Sequence, residues 1–220
     1  MLRKPQHGHK QSNSSDSPQL VIRPPCAYGI EYFDSGDAKY SNYLSYDFDS
    51  HKNKIWTRTA LSLGLSTSSR VLDFGCAKGF MVHGLRSFGI EAYGTDISPY
   101  AIRNAIEPHY CYHYTNTISP LLIGNQIDTI LSFHTLEHLN RYQLFSFLNT
   151  AASHKIKKIL IVVPLGLNGR YNNPAHELDV THVQRMSAMQ WRRLFHLHGY
   201  VAQEAESLNN DVLFASFIKK

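Results

Sequence analysis

The chain has 220 residues, of which 43% are hydrophobic, enough for one domain with a substantial core plus extensions. Its net charge of +5, from 22 Lys and Arg against 17 Asp and Glu, permits an anionic partner but is far from that of a dedicated nucleic-acid-binding protein. The three cysteines form no CxxC pair, so neither a zinc site nor a disulfide framework is indicated.

The sequence contains no segment typical of membrane insertion or secretion. No stretch approaches the roughly 18 apolar residues that a spanning helix needs. The first residues are basic and polar and lack the apolar core of a secretory signal. Such a start also occurs in organelle transit peptides, but it has no amphipathic periodicity here. We therefore expect a cytoplasmic protein without a membrane partner.

Composition divides the chain into three parts. Residues 1–20 contain too little apolar side chain to offset the entropy of ordering, which predicts a disordered tail. Residues 21–66 are predicted to form a cap, irregular and tyrosine-rich at first and helical from about Ile55 to Leu63. Residues 67–220 are predicted to form the main domain.

From Arg70 onward, short apolar runs alternate with helical patterns. The predicted strands are RVLDFG (70–75), EAYGTD (91–96), HYCYHY (109–114), DTILSFH (128–134), KKILIVVP (157–164), VAQEAESL (201–208) and DVLFASFIKK (211–220). Ser98 before Pro99 is typical of a helix start, and Ser187 with Gln190 forms a capping box. This alternation predicts an α/β fold with a mostly parallel sheet, helices on both faces and an antiparallel final pair of strands. In such sheets ligands bind at the carboxyl ends of the strands.

The turn after the first strand, DFGCAKG (73–79), is the first candidate ligand site. Its small residues allow the backbone to approach a ligand closely. It contains neither the GxGxxG of dinucleotide-binding folds nor the GK[ST] of a P-loop. An acid at the strand end, Asp73, would repel a pyrophosphate and suit an ammonium or sulfonium group. This charge argues against NAD and nucleoside triphosphates as ligands.

Asp96, at the end of the second strand and 23 residues after Asp73, is the second candidate. A carboxylate at this place can accept hydrogen bonds from the ribose hydroxyls of an adenosine-type cofactor. It can also simply stabilise the N-terminus of the helix that begins near Ser98. In combination with the first site, the ribose interpretation is favoured.

The segments VLDFGCAKGF (71–80), GIEAYGTDISPYAI (89–102) and DTILSFHTLEHL (128–139) together resemble the class I S-adenosylmethionine-dependent methyltransferases, closest to the small-molecule group that includes sugar and natural-product methyltransferases. The resemblance covers about residue 70 to the C-terminus. It implies a Rossmann-like methyltransferase fold with a seven-stranded, mostly parallel sheet, helices on both faces and an antiparallel last strand. It also implies S-adenosyl-L-methionine as cofactor. One departure is Ala77, where the family more often has glycine; the added methyl group is a mild change.

The resemblance implies cofactor contacts along the strand ends. The implied residues are Asp73, Gly75, Cys76, Ala77, Gly79, Asp96, Ile97, Thr115, Asn116, Phe133 and His134. The glycine-containing turn would line the methionine part, Asp73 would hold its amino group and Asp96 would bind the ribose. Ile97 would pack on the adenine, and Thr115 or Asn116 would meet the adenine amine.

Two groups of polar residues are candidates for acid–base or metal chemistry. His134, Glu137 and His138 would need a further ligand to hold a metal. The resembling family commonly carries this LEH sequence without one, so we predict no metal site; a structural role at a helix start is favoured over catalysis. In the resembling family, a D-x-T-H segment lies over the substrate. Asp179 and His182 therefore either form a pair in which His182 removes the acceptor proton or anchor the loop. The candidate catalytic residues are His182, Asp179 and His134.

The leading functional hypothesis is methyl transfer to a small-molecule acceptor, at an oxygen of a sugar-like or natural-product substrate. The Asn-Pro-Pro-Tyr motif that amine-modifying nucleic-acid enzymes often carry after the fourth strand is absent. One alternative is a non-catalytic, cofactor-binding partner subunit, since Ala77 departs from the family and no base is certain. Another is an RNA methyltransferase, suggested by the positive charge and by Tyr40, Tyr43 and Tyr46, although such tyrosines more often form a lid. Nucleic acid is not the expected partner.

Overall fold

The computed structural model describes residues 28–34, 51–114, 117–208 and 211–220. The strands are β1 Arg70–Phe74, β2 Glu91–Asp96, β3 Cys111–His113, β4 Thr129–Phe133, β5 Lys158–Pro164, β6 Gly166–Leu167, β7 Arg170–Tyr171, β8 Tyr200–Leu208 and β9 Val212–Lys219. The α-helices are α1 Ile30–Phe33, α2 His51–Ser62, α3 Phe80–Ser87, α4 Pro99–Arg103, α5 Ser119–Gly124, α6 Arg141–Ser153 and α7 Ala188–Leu197. Short 3₁₀ helices occur at Leu136–His138 and Pro174–Glu177. Among the described residues, no helix combines the length and apolar character needed to cross a bilayer.

Within the described residues, the main sheet has seven strands in the order β3-β2-β1-β4-β5-β9-β8. Neighbouring strands from β3 to β5 pair in parallel, and β9 runs antiparallel to both of its neighbours, β5 and β8. The predicted seven-stranded, mostly parallel sheet with an antiparallel last strand is therefore confirmed. β6 and β7 form a separate two-stranded hairpin, which was not predicted.

The central strands are buried on both faces because helices cover both sides of the sheet. Val71 packs in a cluster with α2 and α3, whereas its neighbour Leu72 packs with α5, α6 and α7 on the other side. Side chains of successive strand residues point to opposite faces, so an apolar run such as VL or LI supplies both cores. Since α2 shares the core with the sheet, residues 51–62 form part of its helical layer. The predicted domain boundary between residues 66 and 67 stays a prediction.

Side-chain caps are found at the starts of α4, α6 and α7. Ser98 accepts a hydrogen bond from the backbone N–H of Ala101, as predicted, and the capping box of Ser187 and Gln190 is also present. The helix α4 is short, with five residues. It ends at Arg103, where the side chain of Asn104 donates to the carbonyl of Tyr100, and the chain then turns away. α5 was missed because it has only 6 residues and no side-chain cap.

The strand order reverses at β1, which lies between β2 and β4. Connections from these strands therefore diverge to opposite sides and leave a crevice at the carboxyl ends of β1, β2 and β4. Gly75 follows β1, Asp96 ends β2 and His134 follows β4, so the fold brings the three predicted site segments to the same edge of the sheet.

Gly94 in β2 makes room for side chains beneath the sheet. A Cβ atom built there would lie 2.7 Å from Cys76 Sγ and 2.9 Å from a methyl group of Val82. We expect Gly94→Ala to lower the free energy of unfolding by about 1–3 kcal/mol, the usual cost of overpacking a core. Urea denaturation followed by circular dichroism measures this value. The matched control is Gly124→Ala at the end of α5, where a Cβ meets nothing within 4 Å and stability should be unchanged or slightly higher. Equal stabilities of the two variants would contradict the prediction.

Candidate active site

An open cleft lies at the carboxyl ends of β1, β2 and β4, and it encloses about 1240 Å³ including its solvent-filled mouth. The lining residues come from six parts of the chain: Tyr28, Tyr32 and Phe33; Phe74, Gly75 and Ala77; Thr95, Asp96 and Ile97; Tyr114, Thr117 and Ile118; His134, Thr135, His138, Leu139, Asn140, Gln143, Ser146, Phe147 and Thr150; and Thr181 and Val183.

The turn after β1 forms one wall through its backbone. Gly75 has a φ of +88°, and a Cβ there would lie 2.1 Å from Thr135 Oγ1, so both conformation and space require glycine. Ala77 also lies in the left-handed region, at a φ of +48°. The backbone of the turn is thus exposed to the cleft at the points where small residues were predicted to allow close approach.

Asp96 holds this turn against the end of β2. Its Oδ2 accepts a hydrogen bond from the backbone N–H of Ala77 at 2.8 Å, and its Oδ1 accepts one from Ser98 N–H at 2.8 Å. Burial raises the pKa of the carboxyl group, while the two backbone N–H donors act to lower it. Each oxygen keeps a second lone pair for a ligand hydroxyl in the cleft.

Asp73 lies behind the turn rather than in the cleft wall. Its side chain is 4% exposed. Burial raises the pKa of Asp73 to about 8, and the neighbouring negative charge of Asp96 adds to the shift. The two acids therefore form a region in which a cationic ligand would be favoured and a phosphate disfavoured.

Cys76, Gly79 and Phe133 do not line the cleft. Cys76 belongs to the buried core on the α2–α3 side of the sheet, and burial raises the pKa of its thiol. Phe133 packs against the same core and contacts the ring of Trp56 at 5.9 Å between centroids. Gly79 precedes α3 at a φ of +75°. These three residues support the site from behind.

Residues 28–34 cover the cleft. Ser98 Oγ donates to the carbonyl of Tyr28 at 2.5 Å, and the carboxylate of Asp34 accepts from Lys78 Nζ and from the hydroxyl of Tyr100. The ring of Tyr32 and the methyl group of Ala77 belong to one small buried cluster. The cover is therefore attached both to the turn and to α4. Tyr40, Tyr43 and Tyr46, predicted as part of a lid, lie outside the described residues.

Glu137 is the most deeply buried acid beside the cleft, with 0% of its surface exposed. His134 Nδ1 lies 3.4 Å from its Oε1. Burial would raise the pKa of Glu137, but His134, His138 and His182 outweigh it and hold the pKa below its usual value. The carboxyl group is therefore anionic, and the contact with His134 is the largest of the effects that lower its pKa.

Asp179 and His182 meet, as the sequence suggested, with 3.7 Å between Oδ2 and Nε2. Burial, followed by the nearby His138, lowers the pKa of His182 to about 4, so the ring is neutral at neutral pH. Its Nδ1 bonds the carbonyl of His176 at 2.9 Å. Neither Asp179 nor His182 lines the cleft, whereas Thr181 between them does. Of the three predicted catalytic residues, only His134 does so, and it has a strained φ of +53°.

Of the predicted cofactor residues, five line the cavity, namely Gly75, Ala77, Asp96, Ile97 and His134, and Asp73 lies just behind it. Thr115 and Asn116 lie outside the described residues. Their neighbour Tyr114 lines the cleft and packs edge-on against Phe74, with 5.7 Å between ring centroids.

The contribution of α6 to the lining of the cleft was not predicted. Gln143, Ser146 and Thr150 line the cleft from one side of this helix. Their spacing of three and four residues places them on one face. The sequence signal that could have revealed this wall of the cleft is a stripe of polar residues on a helix that follows a predicted strand end. It was overlooked because polar helix positions are usually exposed to solvent.

Comparison with protein families identifies one match. Residues 48–205 match a family described as a methyltransferase domain. Comparison with curated protein sequences finds no match.

Three solved structures of similar fold are distant from this chain in sequence. One is magnesium protoporphyrin IX methyltransferase from Synechocystis PCC 6803 with bound SAH, with a TM-score of 0.61, 14% identity, and coverage of 88% of this chain and 99% of that chain. A second is Burkholderia thailandensis 1,6-didemethyltoxoflavin-N1-methyltransferase with its substrate and S-adenosylhomocysteine, with a TM-score of 0.61, 14% identity, and coverage of 89% and 87%. A third is a putative methyltransferase of Haloferax volcanii in complex with the Trm112 activator, with a TM-score of 0.61, 15% identity, and coverage of 77% and 90%. At these identities the likeness establishes the fold.

The raised pKa of Asp73 has a measurable effect on stability. Because its pKa is about 8 in the folded chain and 3.8 ordinarily, the folded state holds the proton more tightly than the unfolded state. Its contribution to stability is therefore present below about pH 4 and is lost as the pH rises towards about 8. We expect Asp73→Asn to become progressively more stable than the wild type across this range, by at most about 1.4 kcal/mol per pH unit. Urea denaturation of both proteins, without ligand, tests this. Parallel stability curves would contradict it.

Proposed function

We propose, because the chain belongs to the methyltransferase domain family, that it binds S-adenosyl-L-methionine in the cleft and transfers the methyl group to an oxygen atom of a small sugar-like or natural-product acceptor. The family membership confirms the family expected from the three sequence motifs. The single observation that carries the cofactor assignment is the carboxylate of Asp96, fixed at the end of β2 beside a turn of exposed backbone.

The residues that line the cleft could contact the ribose, the adenine and the methionine part of S-adenosylmethionine. In our proposal the ribose hydroxyls donate to Asp96, and the adenine lies among Ile97, Tyr114 and Ile118, which line the same part of the cavity. The methionine part lies along the backbone of the turn, with the buried carboxyl group of Asp73 behind it. Two of the similar structures were solved with the demethylated donor bound, which supports this assignment.

The reaction is a direct displacement. A lone pair of the acceptor oxygen forms the new O–C bond, the C–S bond breaks with its electron pair moving to sulfur, and S-adenosylhomocysteine leaves. The hydroxyl proton passes to a base or to water. The cofactor supplies the electrophile, and the protein contributes alignment and exclusion of water.

The acceptor side of the cleft supports a small polar substrate. His134, His138 and Thr181 line this region, and the rings of Tyr28 and Tyr32 cover it. A covered cleft of this kind admits a compact molecule more easily than a folded RNA. His134 is the candidate proton acceptor, since it alone of the predicted catalytic residues lines the cavity. A cytoplasmic location is part of the proposal, and the unpaired, buried thiols of Cys76 and Cys111 agree with it.

The proposal is tested by titration calorimetry with S-adenosylmethionine and S-adenosylhomocysteine, followed by mass spectrometry of acceptor mixtures incubated with a deuterated-methyl donor. We expect both cofactors to bind and the label to appear on hydroxyl-bearing small molecules. Failure of both cofactors to bind at high micromolar concentration would reject the donor assignment. Label on amines or RNA instead would reject the acceptor assignment. If the cofactors bind but no methyl group is transferred until a companion protein is added, the partner-subunit alternative would be favoured. The Haloferax volcanii methyltransferase in complex with Trm112 is similar to this chain in fold.

A matched pair of substitutions tests the role of Asp96. We expect Asp96→Asn to weaken S-adenosylmethionine binding roughly tenfold to hundredfold, because hydrogen bonds to a charged group contribute about 1.5–3 kcal/mol. The control is Asp128→Asn at the opposite end of the sheet, where the carboxylate also accepts from backbone and hydroxyl donors, Arg70 N–H and Thr129 Oγ1. Titration calorimetry should give this control the wild-type affinity. Equal losses in both variants would argue for a general structural effect.

A further inference from the structure

The carboxylate of Glu137 is the least well explained group beside the cleft. It is fully buried, and among the described residues neither of its oxygens accepts a hydrogen bond. The His134 contact of 3.4 Å involves only Oε1 and leaves Oε2 without a polar partner. Buried carboxylates are normally paired or coordinate metals, since an isolated charge in the interior is costly.

The hydrogen bonds around His138 determine where its free lone pair lies. The hydroxyl of Thr181 donates to Oδ1 of Asp179, so its single hydrogen is already used. The contact of 2.7 Å between Thr181 Oγ1 and His138 Nδ1 must therefore have Nδ1 as the donor. In the neutral ring, the lone pair of His138 is consequently on Nε2.

The tautomer of His182 is fixed in the same way. Its Nδ1 lies 2.9 Å from the carbonyl oxygen of His176, and a carbonyl only accepts. Nδ1 is therefore protonated, and the lone pair of the neutral ring is on Nε2. Both imidazoles are thus held through Nδ1 by partners that fix their tautomer, an arrangement typical of metal-binding histidines.

These three residues lie close enough to act together. One candidate ligand atom from each of Glu137, His138 and His182 lies within 4.8 Å of the other two, and the two imidazole centroids are 4.6 Å apart. Ligand atoms around a tetrahedral ion with bonds of about 2.1 Å lie about 3.4 Å apart, so binding requires the side chains to close in by roughly an ångström. Two neutral nitrogens and one anionic oxygen suit zinc and neighbouring divalent transition metals.

We propose that Glu137, His138 and His182 form a binding site for a divalent transition-metal ion, with a coordination position open towards the cleft through His138. Because His138 lines the cleft, an ion bound there can take the acceptor hydroxyl as a further ligand and favour loss of its proton. This second role rests on the proposed function, whereas metal binding itself does not. No metal site was predicted from the sequence because the resembling family commonly carries the LEH sequence without a metal.

The test uses the full chain, purified without a metal-affinity tag, depleted with a chelator and titrated with Zn²⁺. We expect stoichiometric binding that falls at least tenfold in Glu137→Gln and His182→Ala. Thr181→Val, which removes the hydrogen-bond partner of His138, should weaken binding by about 10–100-fold while leaving all three ligands in place. The control is His83→Ala, since His83 and Glu107 form a comparable pair, 2.6 Å apart, outside the cleft, and its loss should leave Zn²⁺ affinity unchanged.

Two further measurements keep the result decisive if a variant fails to fold. Circular dichroism and S-adenosylmethionine titration report on the fold and the cofactor site independently of the metal, so failure of this proposal is distinguishable from failure of the proposed function. In the wild type, Co²⁺ should give visible absorption bands of a nitrogen and oxygen site without a thiolate charge-transfer band. The absence of Zn²⁺ binding, unchanged binding in Thr181→Val and Glu137→Gln, or a thiolate band pointing to Cys76 and Cys111 would each overturn the proposal.

Discussion

The two backbone hydrogen bonds accepted by Asp96 are the constraint on which the site depends. One fixes Ala77 in the turn after β1, and the other fixes Ser98 at the start of α4. Ser98 in turn caps α4 through Ala101 and donates to the carbonyl of Tyr28 in the cover. A single carboxylate at the switch point of the sheet thus positions the turn, a helix and the covering segment relative to one another. The geometry of the cleft follows from the strand order, because β2 lies beside β1 and places Asp96 next to the turn that follows β1.

Asp73 shows how burial modifies an argument made from charge alone. From the sequence alone, this acid is expected to be a fixed negative charge that repels pyrophosphate. In the folded chain, burial and Asp96 raise its pKa to about 8, so without a ligand the group is largely protonated at neutral pH. A cation in the cleft would stabilise the ionised form and lower the pKa. The preference for a sulfonium or ammonium group therefore remains, but part of the binding energy is used in removing the proton.

Local signals made most of the fold predictable. Strand residues point alternately to two covered faces of the sheet, so the strands are continuous apolar runs in the sequence. The caps at Ser98 and Ser187 define two helix starts within a few residues. The turn at Gly75 was predictable because small residues cluster there. The group of Glu137, His138 and His182 was not, since it depends on a long loop folding back over the strand ends. α5 was also not predicted. It is too short to show a helical pattern in the sequence, and it is stabilised by its contact with the core on one face of the sheet.

Ala77, the one departure from the family pattern in the turn, can be assessed from opposing energies of similar size. A left-handed conformation costs an alanine about 1–2 kcal/mol relative to the right-handed one, a penalty that glycine avoids. Burying its methyl group against Tyr32 and Phe33 returns about 0.8 kcal/mol. The net effect on stability is small, which agrees with the substitution being mild. Its structural effect is larger, because the methyl group packs the turn after β1 directly against the segment that covers the cleft.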